Sequence, residues 1–219
     1  MTDARKSGIA LIAGSVGTLL TMAIHPVASR GPMTPEQIGR LAGMSSTAHS
    51  IAMVSMLLLF LGACGLTMCI ASGDRVALAA IVSFGFACVA ILMATAVSGF
   101  MVPAIMKHMA QDAADAAHQW QITIYSIFQI NQAFARIYSV AASLAIILWS
   151  VSALRNGGFG RVVAVYGCII STLIILGICG GHLQLDVHGM AVVALGQAIW
   201  LIVVGYQLWS RPGTATSHA

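Results

Sequence analysis

VALAAIVSFGFACVAILMATAVSGF, from Val76 to Phe100, is 25 residues long and carries no charged, amide or imidazole side chain. At 1.5 Å of rise per residue, about 20 apolar residues in a helix cross the roughly 30 Å hydrocarbon core of a bilayer. The stretch therefore reads as a membrane span from Val76 to about Ala96, with a helical continuation to about Met106. The pattern repeats outward in both directions. Apolar windows cover Gly8 to Val27 and Ile51 to Ala71 on one side, and Ala133 to Ser152, Val162 to Gly181 and Met190 to Trp209 on the other.

The composition agrees with this reading. The chain has 219 residues, 59% hydrophobic and 7% charged, where soluble domains carry about 25% charged residues. The longest polar gaps, Pro26 to Ser46 and Lys107 to Gln121, are too short for a separate domain, which excludes a sizeable soluble catalytic domain. The expected fold is an all-α polytopic membrane protein, a bundle of six transmembrane helices over residues 1–211 with a disordered tail at 212–219. A net charge of +4 spread over the loops supplies no Lys/Arg tract, so no nucleic acid partner is expected. Cys64, Cys69, Cys88, Cys168 and Cys179 fall at no paired spacing and suggest no disulfide framework.

Alternating turns place Arg5, Lys6, Arg75, Arg155, Arg161 and Arg211 on one side, against Arg30, Arg40 and Lys107 on the other. The positive-inside rule then puts both termini in the cytoplasm of a multi-pass protein of the cell membrane, the inner membrane if the cell is Gram-negative. Arg5 and Lys6 before an apolar run also form the start of a secretory signal. The run is long for a signal core, so it is read as an uncleaved first span. The third and fourth helices outrun a bilayer and are expected to protrude as a hairpin on the extracytoplasmic side, with Pro103 as a kink.

Six of the seven histidines lie on or near that side: His25, His49, His108, His118, His182 and His188. Counting residues along each helix puts His25, His49, His182 and His188 at one depth, with His108 and His118 above them. Imidazoles from separate helices suit zinc, copper or a haem iron. Asp186, between His182 and His188, is placed to ligate or to orient a ring. Met22, Met53 and Cys179 accompany these histidines and suit copper(I).

The fourth helix carries a polar series, His118, Gln121, Tyr125, Gln129, Gln132, Arg136, Ser139 and Ser143, at spacings of three and four. Arg136 lies within a span, where charge is costly and demands an anionic partner or the interface. Candidates are Asp186, a haem propionate or the headgroup of a bound ligand, with Gln132 and Gln129 lining the same face. Walker, HExxH, CxxCH and GxSxG motifs are absent, which removes ATP hydrolysis and covalent haem.

The expected function is binding of a transition metal (copper or zinc) or haem b near the extracytoplasmic face through His25, His49, His182, His188 and Asp186, serving electron transfer or metal handling. The alternative is a non-enzymatic membrane subunit, or a module that binds a small molecule or lipid in a polar cavity along the fourth helix. A quinone or another anionic small molecule and a membrane partner subunit are the corresponding partners, alongside the lipid bilayer.

Overall fold

The computed structural model describes residues 3–26, 34–70, 73–109 and 117–211. Its elements are α1 (Asp3–Ile24), α2 (Pro35–Ile70), α3 (Arg75–Ala96), a π-helical turn (Val97–Met101) running into α4 (Val102–Met109), α5 (Ala117–Asn156), α6 (Arg161–Cys179) and α7 (Val187–Trp209). Among the described residues there is no strand. Six stretches are long and apolar enough to cross a membrane: Asp3–Ile24, Glu36–Ile70, Arg75–His108, Ile122–Asn156, Arg161–Cys179 and Val187–Trp209. This is the architecture of a polytopic membrane protein.

Hydropathy alone starts the second span at Ile51, whereas α2 begins at Pro35 and runs for 36 residues. A cap, not an apolar run, makes that start. The Thr34 backbone N–H donates to Gln37 Oε1 at 2.8 Å, and the Gln37 N–H donates to Thr34 Oγ1 at 3.3 Å. Pro35 takes the first helical position, where a missing N–H leaves nothing unsatisfied. The tip of the expected helical hairpin lies outside the described residues, as do the side chains of His118 and Gln121 and the tail at 212–219.

The spans close into a ring in chain order. α1 lies between α2 and α7, α3 between α2 and α5, and α6 between α5 and α7. Small residues permit this where lipid gives no hydrophobic drive to helix association. A Cβ on Gly14 would sit 2.7 Å from Leu59 Cγ of α2, and one on Gly62 would sit 2.7 Å from Leu11 Cγ of α1. The Arg5 Nε–H donates to the Trp209 carbonyl at 3.1 Å, which joins the first helix to the last at the terminal end of the bundle.

Asp74 caps α3 at that end. One carboxylate oxygen accepts the Val76 N–H at 3.0 Å, while the other accepts the Ser152 hydroxyl and, at 3.0 Å, the Asn156 amide of α5. These donors, Ser152 first and then the Val76 N–H, hold its pKa below the ordinary carboxylate value, against a smaller opposing effect of desolvation.

The interior of the ring is filled unequally along its length. Towards the termini, Trp149 and Trp200 are fully buried and stack with centroids 6.2 Å apart, and Phe84 lies 5.5 Å from Trp149. The Trp149 indole N–H donates to Thr67 Oγ1 at 3.0 Å. At the opposite end the inward positions include alanines: Ala42, Ala52, Ala94, Ala135 and Ala194. Methyl groups do not span the middle of a six-helix ring, and a cavity results.

Candidate functional site

This cavity has a volume of about 460 Å³ and is walled by α1, α2, α3, the π-helical turn, α4, α5 and the α6–α7 connection with the start of α7. Pockets that hold small molecules run from about 300 to 1,000 Å³. Most of the wall is aliphatic or aromatic, with a polar group of His25, His49, Asn131, Gln132 and Asp186 among the lining residues.

His25 and His49 form the core of that group. Their ring centroids are 5.1 Å apart in an edge-to-face arrangement with planes at 68°. Each ring is oriented by its own backbone. His49 Nδ1 is 2.7 Å from the Ser45 carbonyl one turn earlier, and His25 Nδ1 is 3.1 Å from the Pro26 carbonyl. A carbonyl oxygen only accepts, so each Nδ1 carries a proton and donates it. In the neutral ring the lone pair is then on Nε2.

The π-helical turn makes room for His49. Pro103 has no N–H, so it cannot serve the carbonyl of Gly99 in α-register or that of Ser98 in π-register. Both carbonyls are used from α2: Ser45 Oγ donates to Ser98 O at 3.0 Å and Ser46 Oγ donates to Gly99 O at 2.8 Å. The register change itself is marked by the Val102 N–H, which donates to the Val97 carbonyl five residues back. Gly99 rests directly on the imidazole, since a Cβ there would sit 2.7 Å from His49 Cγ. The sequence-based expectation of a kink at Pro103 thus becomes a π-helical turn just before it, clasped by two serines.

The other predicted site residues divide between the cavity and the surface. Gln132 lines the cavity, with its Nε2 donating to the Leu185 carbonyl at 3.1 Å. Asp186 lines it and caps α7, its Oδ1 accepting the Gly189 N–H at 2.8 Å. His182 and His188 are exposed and outside the lining, as are Gln129 and Arg136. Among the described residues the one ion pair is Lys6 with Asp3, so Arg136 and Asp186 are not joined. The α5 series splits because the helix is covered differently along its length. Ser143 is buried and accepts from Gln197 Nε2 of α7 at 3.1 Å, whereas Arg136 lies open on the outside.

The cavity-facing series of α5 is a different one: Ile124, Phe128, Asn131, Ala135 and Tyr138, at spacings of four, three, four and three. Asn131 and Thr95 were missed by sequence reasoning. A periodicity search that admits alanine and isoleucine beside amides finds the α5 face, because a cavity wall in a membrane protein is mostly apolar. Of the expected soft ligands, Met22 lines the cavity, joined by Met56, Met106 and Met190, while Met53 does not line it and Cys179 is exposed.

The donor set can be weighed against each expected group. Haem held by both rings needs them on opposite faces of the macrocycle, and rings in edge contact leave no slot for one. Structural zinc takes four N, S or O ligands. Among the described residues no three of His, Cys, Asp and Glu come close enough together to hold a metal ion. Two imidazoles with thioethers nearby remain a donor set of the copper(I) class. No protein-family model, curated protein or solved structure matches the chain.

Proposed function

We propose that this multi-pass membrane protein binds an amphipathic, lipophilic small molecule in the cavity opposite its termini. The apolar wall takes the ligand body, and His25 and His49 take its polar group. The observation that carries this reading is the pairing of two backbone-oriented imidazoles on the wall of a cavity of about 460 Å³. The basic side chains Arg5, Lys6, Arg75, Arg155, Arg161 and Arg211 collect at the terminal end, which supports a cytoplasmic location for both termini and an extracytoplasmic one for the cavity. On this reading residues 1–211 work as one bundle, α4 and the outer part of α5 project beyond the membrane, and Arg136 reaches from the outside of α5 to lipid phosphate.

A photoreactive fatty alcohol, incorporated into membranes holding the protein, tests the assignment. Labelled peptides are expected from cavity positions on α2 and α5, and filling the cavity with Ala94→Phe or Ala135→Phe is expected to abolish that labelling. Labelling confined to outward residues such as Leu57 and Val89, and unchanged by the filled variants, would contradict it.

A second reading is favoured by the four methionines that share the cavity with the two imidazoles. Copper(I) would be held by His25 and His49 with one thioether, and the Nδ1–H bonds to carbonyls are the support that metal-bound imidazoles use. Anaerobic loading is then expected to give one copper per chain, lost in His49→Ala. Equal copper in wild type and a His25→Ala/His49→Ala variant would refute this reading.

A further inference from the structure

The hydroxyls of Thr18, Thr21, Ser45 and Tyr138 and both imidazoles of the cavity are one-sided in their hydrogen bonding. Thr18 and Thr21 donate to the Gly14 and Gly17 carbonyls, each at 2.9 Å, and Ser45 donates to Ser98 O. Both imidazoles spend their Nδ1 protons on carbonyls, and Tyr138 donates to Gln197 Oε1 at 3.2 Å. What these groups leave for a ligand is lone pairs, and the N–H donors that remain in the lining are the amides of Asn131 and Gln132, of which Gln132 Nε2 also serves the Leu185 carbonyl.

The acceptors are well placed to matter. Asn131 Oδ1 is buried without a partner, although Asn131 lines the cavity. Among the described residues the Nε2 atoms of His25 and His49 make no hydrogen bond, and each bears a lone pair in the neutral ring. Asp186, the one charged residue among the described lining residues, is exposed and already accepts the Gly189 N–H through Oδ1, with its other oxygen an acceptor too. A buried acceptor left unsatisfied is costly, so a ligand that brings a proton to this pole satisfies lone pairs that a ligand bringing only lone pairs leaves unserved. Thr95 and Ser98 also line the cavity, and their hydroxyls can rotate to either role.

From this we infer that the ligand is a hydroxyl-bearing lipophile, a phenol or alcohol, whose O–H donates to the acceptor pole at His25, His49 and Asn131. Acceptor-only headgroups such as ketones, quinones and ethers, and anions such as carboxylates, are selected against. The inference rests on the cavity being the ligand site, and its test separates the two.

Three probes sharing one alkyl tail are used on the detergent-purified protein: 4-nonylphenol, its methyl ether and the corresponding aryl methyl ketone. Each competes with the photoreactive fatty alcohol for labelling of the cavity peptides. The phenol is expected to displace the label at about a tenfold lower concentration than the ether or the ketone, the scale of one hydrogen bond. That advantage is expected to collapse towards parity in Asn131→Leu and in His49→Phe, while the ether competes as before. Should either variant fail to fold, Asn131→Asp, which keeps the acceptor, serves as the second reading and must retain the preference. Equal potency of phenol, ether and ketone would overturn the inference and leave the cavity assignment standing. No competition by any of the three overturns both.

Discussion

Gly99 has no side chain where His49 needs the space, and Asp74 has one where three donors need an acceptor. The second of these has a consequence for pH. The folded pKa of Asp74 is lowered from its ordinary value of 3.8, chiefly by the Ser152 hydroxyl and then by the Val76 N–H. A carboxylate with a depressed folded pKa contributes stability that is fully present above the unfolded value. That contribution is lost as pH falls below it, through the folded value. In thermal melts of the purified protein, Asp74→Asn is expected to lower Tm at pH 7 and to flatten the decline of Tm on acidification below pH 4. An unchanged acid limb would show that Asp74 does not carry it.

At the scale of elements, the spans were legible because length and apolarity alone identify them, and all six were found. The outer turns of α2 were not, because between Pro35 and Ser50 the helix is made by capping and by serines that bridge to the π-helical turn, neither of which registers as hydropathy. Thr34→Ala is expected to cost about 1 kcal/mol, the usual worth of such a cap. It is also expected to speed amide exchange over residues 36–40 without changing exchange in α6. Depth along a helix was legible too, and it brought His25 and His49 to one level. Rotation about the axis was not, so His182 and His188 reach the same end of the bundle but face outward. The α5 face was misjudged for the same reason: Arg136 and Gln129 mark its polar outside, while Asn131 and Ala135 mark the wall of the cavity.

For the whole molecule, the division of the ring into a filled end and a hollow one predicts separable behaviour. Trp149→Ala removes a fully buried indole and its bond to Thr67, and is expected to cost about 3 to 5 kcal/mol, by the usual worth of a buried aromatic. In a variant folded well enough to purify at low temperature, labelling of the cavity is expected to persist, because its walls lie nearer the other end. Joint loss of labelling in the folded variant would mean that the two ends are coupled. The alanines that keep the hollow end open also set an evolutionary tension. Leucine or phenylalanine at Ala52, Ala94 or Ala194 would add buried contact, and substitutions that fill cavities commonly stabilise. Random drift would therefore tend to plug the bundle, so if the proposed guest molecule is what the hollow end serves, relatives that keep the guest are expected to keep side chains no larger than a methyl at these three places.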